Sequence, residues 1–166
     1  MAILLAEAAV LEEGLVAVQS QSYGPEARGG ATRSDVIISD SEIFFPKVLQ
    51  PNILVALTAE AATKYLPLIR PGGLCLFDSD LVSPSATIDA EKIGLPLYQS
   101  VIAKLCKAVA FNICVLGALV ELTGTVSGGA LEKVLARRFA KAHHAANKEA
   151  LMLGMELAKA SRRQAA

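Results

Sequence analysis

Hydrophobic positions along this chain change spacing from helical to extended and back to helical. Ile3, Leu4, Ala8 and Leu11 recur at helical intervals, with Glu7, Glu12 and Glu13 on other faces and Gly14 as a stop. No Ser, Thr, Asp or Asn precedes this first helix as a cap. Short extended runs follow, Leu15–Val18 and Val36–Ser39, around a polar, glycine-rich stretch. Ile53–Leu57 is continuously apolar, which predicts a strand covered on both faces. Thr58 then caps a helix from Ala59 to Leu68, with Glu60 in its first turn. Arg70-Pro71-Gly72-Gly73 breaks that helix, and Leu74–Phe77 reads as a second buried strand. This β-α-β order predicts an α/β fold with a mostly parallel sheet and helical crossovers.

Residues 81–96 read as loop with a short strand near Ile88. The remainder is helical. Tyr98–Val109 has one apolar face, and Phe111–Leu122 is apolar nearly all round and is expected to be buried. Leu131–Phe139 is opened by Ser127, Ala145–Ala160 is a last helix, and residues 161–166 are expected to fray. There is no internal repeat or long linker, so residues 1–166 form one domain.

Composition adds two constraints. Hydrophobic residues make up 53% of the chain and charged residues 19%, a surplus that suits a subunit hiding surface against partners. The 16 basic and 16 acidic residues cancel, which leaves no electrostatic footprint for nucleic acid or a membrane. The most apolar run, Ala108–Val120, is too short for a bilayer, which takes about 20 residues. No signal peptide is evident, and Cys75, Cys106 and Cys114 read as reduced, buried thiols of a cytoplasmic protein, without cluster or zinc spacing.

Catalytic chemistry is sparse. His143 and His144 are neighbours that point about 100° apart in a helix and cannot share an ion. No nucleophile elbow or nucleotide fingerprint occurs, and Gly72-Gly73 and Gly128-Gly129 punctuate helices. Asp78 and Asp80 end a strand, where α/β proteins place ligands, but the same residues also suit a turn and cap. Asn112 is expected inside the buried helix, as a structural tie or a ligand contact. The stretch Gln19–Asp40 is longer than a plain connection of two to five residues requires. Its centre, Tyr23, Gly24, Pro25, Glu26, Arg28, Gly29 and Gly30, combines a fixed positive charge with glycines that let a backbone approach closely. Arg28 with the Gly29 and Gly30 amides suits a phosphate or carboxylate, whereas a surface turn tied by Glu26 and Arg28 is the simpler reading.

The motif QSYGPEARGGA (Gln21–Ala31), followed by SDVIISD (Ser34–Asp40), resembles the gamma subunit of 2-oxoacid:ferredoxin oxidoreductases, in their 2-oxoglutarate branch. The likeness continues through EIFFPKV (Glu42–Val48), PNILVAL (Pro51–Leu57), RPGGLCLFDSDLV (Arg70–Val82), FNICVLGAL (Phe111–Leu119) and NKEALMLG (Asn147–Gly154). The resemblance implies a Rossmann-like open sheet with helices on both faces and a helical C-terminal part. It implies an enzyme complex that converts 2-oxoglutarate and coenzyme A to succinyl-coenzyme A with ferredoxin reduction, or the reverse. Its partners would be alpha, beta and in some members delta subunits. Thiamine diphosphate, magnesium and iron–sulfur clusters would be bound by those subunits, leaving this chain non-catalytic with no cofactor or metal of its own. Tyr23 to Gly30 would complete the coenzyme A side. The family's first strand and its GxGGQG turn are not found ahead of the first helix, which predicts exposed strand edges and low stability for the chain alone. Two other readings stay open: a stand-alone α/β module anchoring an anionic small molecule through Arg28 and Arg33, and a pure scaffold subunit.

Overall fold

The computed structural model describes residues 1–22 and 32–165. Helix α1 (Ala2–Glu13) ends where Gly14 takes φ 68°, a left-handed conformation natural to glycine, and no side chain caps its start. Strands β1 (Val16–Ser22) and β2 (Arg33–Ser39) pair antiparallel from Val16 opposite Ser39 to Ser22 opposite Arg33. They form a two-stranded sheet of their own. Much of the presumed loop Gln19–Asp40 is therefore hairpin. Its polar residues sit in a ladder of backbone hydrogen bonds, which does not require them to be apolar.

Strands β3 (Ile53–Ala56), β4 (Gly73–Asp78) and β5 (Ala90–Leu95) form a parallel sheet in the order β3-β4-β5. Helix α2 (Ala59–Tyr65) crosses between β3 and β4, with the Thr58 side chain accepting the Ala61 amide at 3.2 Å. The strand expected near Ile88 is β5. Both faces of β3 are packed as expected, Ile53 and Val55 against the main core and Leu54 against Leu66, Ile69 and Cys75. The cover is incomplete at this edge strand: Ile53, Leu54 and Val55 are half-buried and only Ala56 is buried.

The C-terminal half is helical: α3 (Leu97–Leu105), α4 (Phe111–Thr123), α5 (Gly128–Arg138) and α6 (His144–Ala165). Every residue of α4 from Ile113 to Val120 is buried, as its all-round apolar sequence requires. Ser127 caps α5 by accepting the Ala130 amide at 3.1 Å. The tail is not frayed at residue 161. Helix α6 continues to Ala165, and Arg162 donates to the Leu122 carbonyl in the last turn of α4 at 2.5 Å.

The main core joins these layers. It includes Leu4, Ala8 and Ala9 of α1, Leu76 and Leu95 of the sheet, and the inner faces of α3 to α6, with Ala17 and Ile38 of the hairpin packed against it. Helix α1 lies on α5 and on both hairpin strands. Helices α4 and α6 approach so closely that a Cβ at Gly117 would collide with the Leu151 carbonyl, and one at Gly154 with the Cys114 carbonyl. Among the described residues no helix is long and apolar enough to cross a membrane.

Candidate functional site

The segment between β1 and β2 carries the strongest sequence signal. Tyr23, Gly24, Pro25, Glu26, Arg28, Gly29 and Gly30 lie outside the described residues. On the strands that lead to them, Gln19 Nε2 donates to Ser34 Oγ at 2.9 Å across the ladder. Arg33 donates to Asp35 Oδ2 from Nε at 3.0 Å and from Nη2 at 2.7 Å. The same Nη2 donates to the Val48 carbonyl at 3.2 Å, and the guanidinium lies 5.7 Å from the centre of the Tyr65 ring. Arg33 therefore joins β2 to segment 40–52 and to α2. Its charge is met by a carboxylate of its own strand, which corrects the reading of Arg33 as an anchor for a free anion. A groove beside it is lined by Ser20, Gln21, Arg33, Asp35, Lys47, Val48 and Leu49.

The second candidate, at the end of β4, resolves toward structure. Asp78 is fully buried. Its Oδ1 accepts the amides of Asp80 at 3.0 Å and Leu81 at 3.2 Å, and its Oδ2 accepts the Tyr98 amide at 2.7 Å. The carboxylate thus closes the turn after β4 and meets the positive end of α3, which begins one residue before Tyr98. Asp78 is occupied as turn and cap, and Asp80 is exposed.

Other candidates separate in space. Asn112 is exposed in the first turn of α4, not inside the core, because the helix becomes buried only from Ile113 onward. His143 is exposed at the end of a short 3-10 turn, and His144 Nε2 is 2.7 Å from the Phe139 carbonyl. Cys75 and Cys114 are buried, as expected. Burial pushes the Cys114 thiol up to about 12, with the Asp78 carboxylate adding to the rise. Cys106 departs from expectation: it is exposed, and it ends α3 in a left-handed conformation at φ 51°, where its side chain turns away from the core. Among the described residues no three His, Cys, Asp or Glu side chains converge as a metal site.

Sequence reasoning passed over Lys47, Tyr65 and the Val48 carbonyl, which shape the flank of the hairpin. In EIFFPKV, Pro46 and the lack of any period mark an irregular segment, but sequence does not reveal where such a segment packs.

The family model described as pyruvate ferredoxin/flavodoxin oxidoreductase matches residues 1–157. The 2-oxoglutarate synthase subunit KorC of Methanocaldococcus jannaschii is 42% identical over 159 residues, which is 95% of this chain and 85% of that protein. The ketoisovalerate oxidoreductase subunit VorA of Methanothermobacter thermautotrophicus is 33% identical over 122 residues, 74% of this chain but 25% of VorA. Among solved structures, the gamma subunit of a keto/oxoacid ferredoxin oxidoreductase from Geobacter sulfurreducens superposes with a TM-score of 0.88 at 39% identity. It covers 96% of this chain and 88% of its own.

Proposed function

The chain belongs to the pyruvate ferredoxin/flavodoxin oxidoreductase family and is a gamma subunit of a 2-oxoacid:ferredoxin oxidoreductase; from that premise we propose that its complex acts on 2-oxoglutarate. The observation that carries the substrate is the 42% identity to a 2-oxoglutarate synthase subunit across 95% of the chain. The overall reaction joins the acyl group left by decarboxylation to the coenzyme A sulfur, releases carbon dioxide and passes two electrons to ferredoxin. In this reading alpha and beta subunits, joined in some complexes by a delta subunit, surround the chain in the cytoplasm. They hold thiamine diphosphate, which supplies the decarboxylation chemistry, together with magnesium and the iron–sulfur clusters.

The three cysteines of this chain do not come together as iron–sulfur ligands. Cys75 and Cys114 are core thiols on β4 and α4, and Cys106 is alone at the end of α3. The chain's own contribution is positional. In this reading Tyr23, Gly24, Pro25, Glu26, Arg28, Gly29 and Gly30 serve the coenzyme A side of the assembled enzyme, and the β1 and β2 strands that flank them in sequence are paired and braced by Arg33. An anion module working alone is the weaker reading, since Arg33, half of its proposed anchor, is engaged with Asp35.

Two measurements test this. The co-expressed complex should reduce ferredoxin with a kcat/KM for 2-oxoglutarate well above that for pyruvate; the opposite preference sinks the substrate assignment. Arg28→Ala should lower kcat/KM for coenzyme A by roughly 30-fold, the loss of a charge-assisted contact of about 2 kcal/mol, or else weaken subunit docking. Wild-type coenzyme A kinetics with intact assembly would remove the loop from this role.

A further inference from the structure

The segment between the hairpin and β3 leaves large apolar side chains in water. Phe44 is 86% exposed, Phe45 60% and Leu49 69%. Single exposed apolar residues are ordinary, but two consecutive rings and a leucine in one short segment are a patch of the kind that marks an interface. The segment is also held in place. Arg33 donates to the Val48 carbonyl, and Lys47, Val48 and Leu49 form one wall of the groove whose other wall is Ser20 and Gln21 of β1 with Arg33 and Asp35 of β2. That wall is at the end of the ladder from which residues 23–31 depart, since Ser22 opposite Arg33 is the last pair. A patch tethered to the framework loses little freedom when it is covered.

We infer that residues 44–49 dock onto another subunit of the same oxidoreductase, with Phe44 and Phe45 seated in an apolar recess of that subunit; the inference rests on the complex proposed above. The occupant follows from the relatives. In VorA the matched stretch is 25% of the polypeptide, so there a domain of this kind continues covalently into a much larger body of protein. When such a domain is instead a separate chain, the surface that faced the remainder must be covered by the corresponding subunit. Aromatic anchors dominate interfaces of this sort, each surrounded by contacts that exclude water.

The test uses the complex co-expressed with all its subunits. Phe44→Ser/Phe45→Ser should weaken association of this chain with the remaining subunits at least tenfold, the cost of removing interface anchors. Phe44→Leu/Phe45→Leu, which keeps an apolar filling, should stay within threefold of wild type. Unchanged affinity in the serine variant overturns the docking surface while leaving the complex itself intact. Equal losses in the serine and leucine variants also overturn it, because an apolar recess would still accept leucine. If the wild-type chain fails to associate with those subunits, the multi-subunit reading fails and the surface with it. Self-association of the isolated wild-type chain that the serine variant abolishes would assign the patch to a second copy and overturn the inference.

Discussion

Asp78 shows how one side chain can look like a ligand site and still be fully employed. Both its oxygens accept backbone amides, from Asp80, Leu81 and Tyr98, in a place closed to water. Removing the acceptor leaves those donors without partners, and a lost hydrogen bond to a charged group costs more than a neutral one. Asp78→Ala is expected to lower the unfolding free energy by about 3 kcal/mol, measured by urea denaturation, while the coenzyme A kinetics of whatever complex still assembles stay near wild type. Arg33 is the converse case. Sequence marks it as a cation beside glycines, and only the fold shows the Asp35 carboxylate and the Val48 carbonyl that engage it. Asn112 and Cys106 differ from expectation at helix ends: Asn112 is exposed in the first turn of α4, and Cys106 lies just past the end of α3.

Among the elements, the α4–α6 pair depends on two missing side chains. Gly117 and Gly154 let the helix backbones touch, and any Cβ there would meet a carbonyl oxygen of the other helix. Gly154→Ala therefore has to push α6 off α4 within a packed core. It is expected to cost about 3 kcal/mol, seen as a fall in the denaturation midpoint. Gly129 is the internal control: it is exposed in the first turn of α5 with nothing within 4 Å of its Cβ position. Gly129→Ala should be neutral or stabilise by about 0.5 kcal/mol, through reduced freedom of the unfolded chain. Helix boundaries were readable where capping chemistry is local, as at Gly14, Thr58 and Ser127. The hairpin was less readable, because its strands Val16–Ser22 and Arg33–Ser39 extend into polar sequence that carries no alternating pattern.

Across the whole molecule, the N-terminal helix is fastened to the C-terminal half by charge. Glu12 reaches Lys133 at 3.0 Å and Arg137 at 2.7 Å, Glu13 accepts the Ser127 amide at 2.9 Å, and Glu7 pairs with Arg138. The Lys133 hydrogen bond holds the Glu12 carboxyl below its ordinary 4.5, outweighing the opposing effect of burial, with Arg137 adding. The Ser127 amide does the same for Glu13. Carboxyls lowered in the folded state stabilise it above the unfolded value of 4.5, and that contribution is lost as pH falls through the lower folded values. Stability should thus decline on acidification from pH 4.5 downward, and Glu12→Gln should flatten part of that decline; urea midpoints followed across this range check it.

Sequence alone determined the local features: the order of helices and strands, the caps, the buried apolar helix α4, and a motif around Tyr23 to Gly30 specific enough to point to the family. Each is written in neighbouring residues, through capping chemistry, periodicity or a contiguous string. Tertiary structure decided what depends on distant partners. It left β3 at a sheet edge, directed Arg33 to Asp35, closed α4 against α6 at two glycines, and left Phe44 and Phe45 facing water. Whether a side chain is buried, paired or free depends on which distant segment packs over it, and that placement is an outcome of the whole core, not of local spacing.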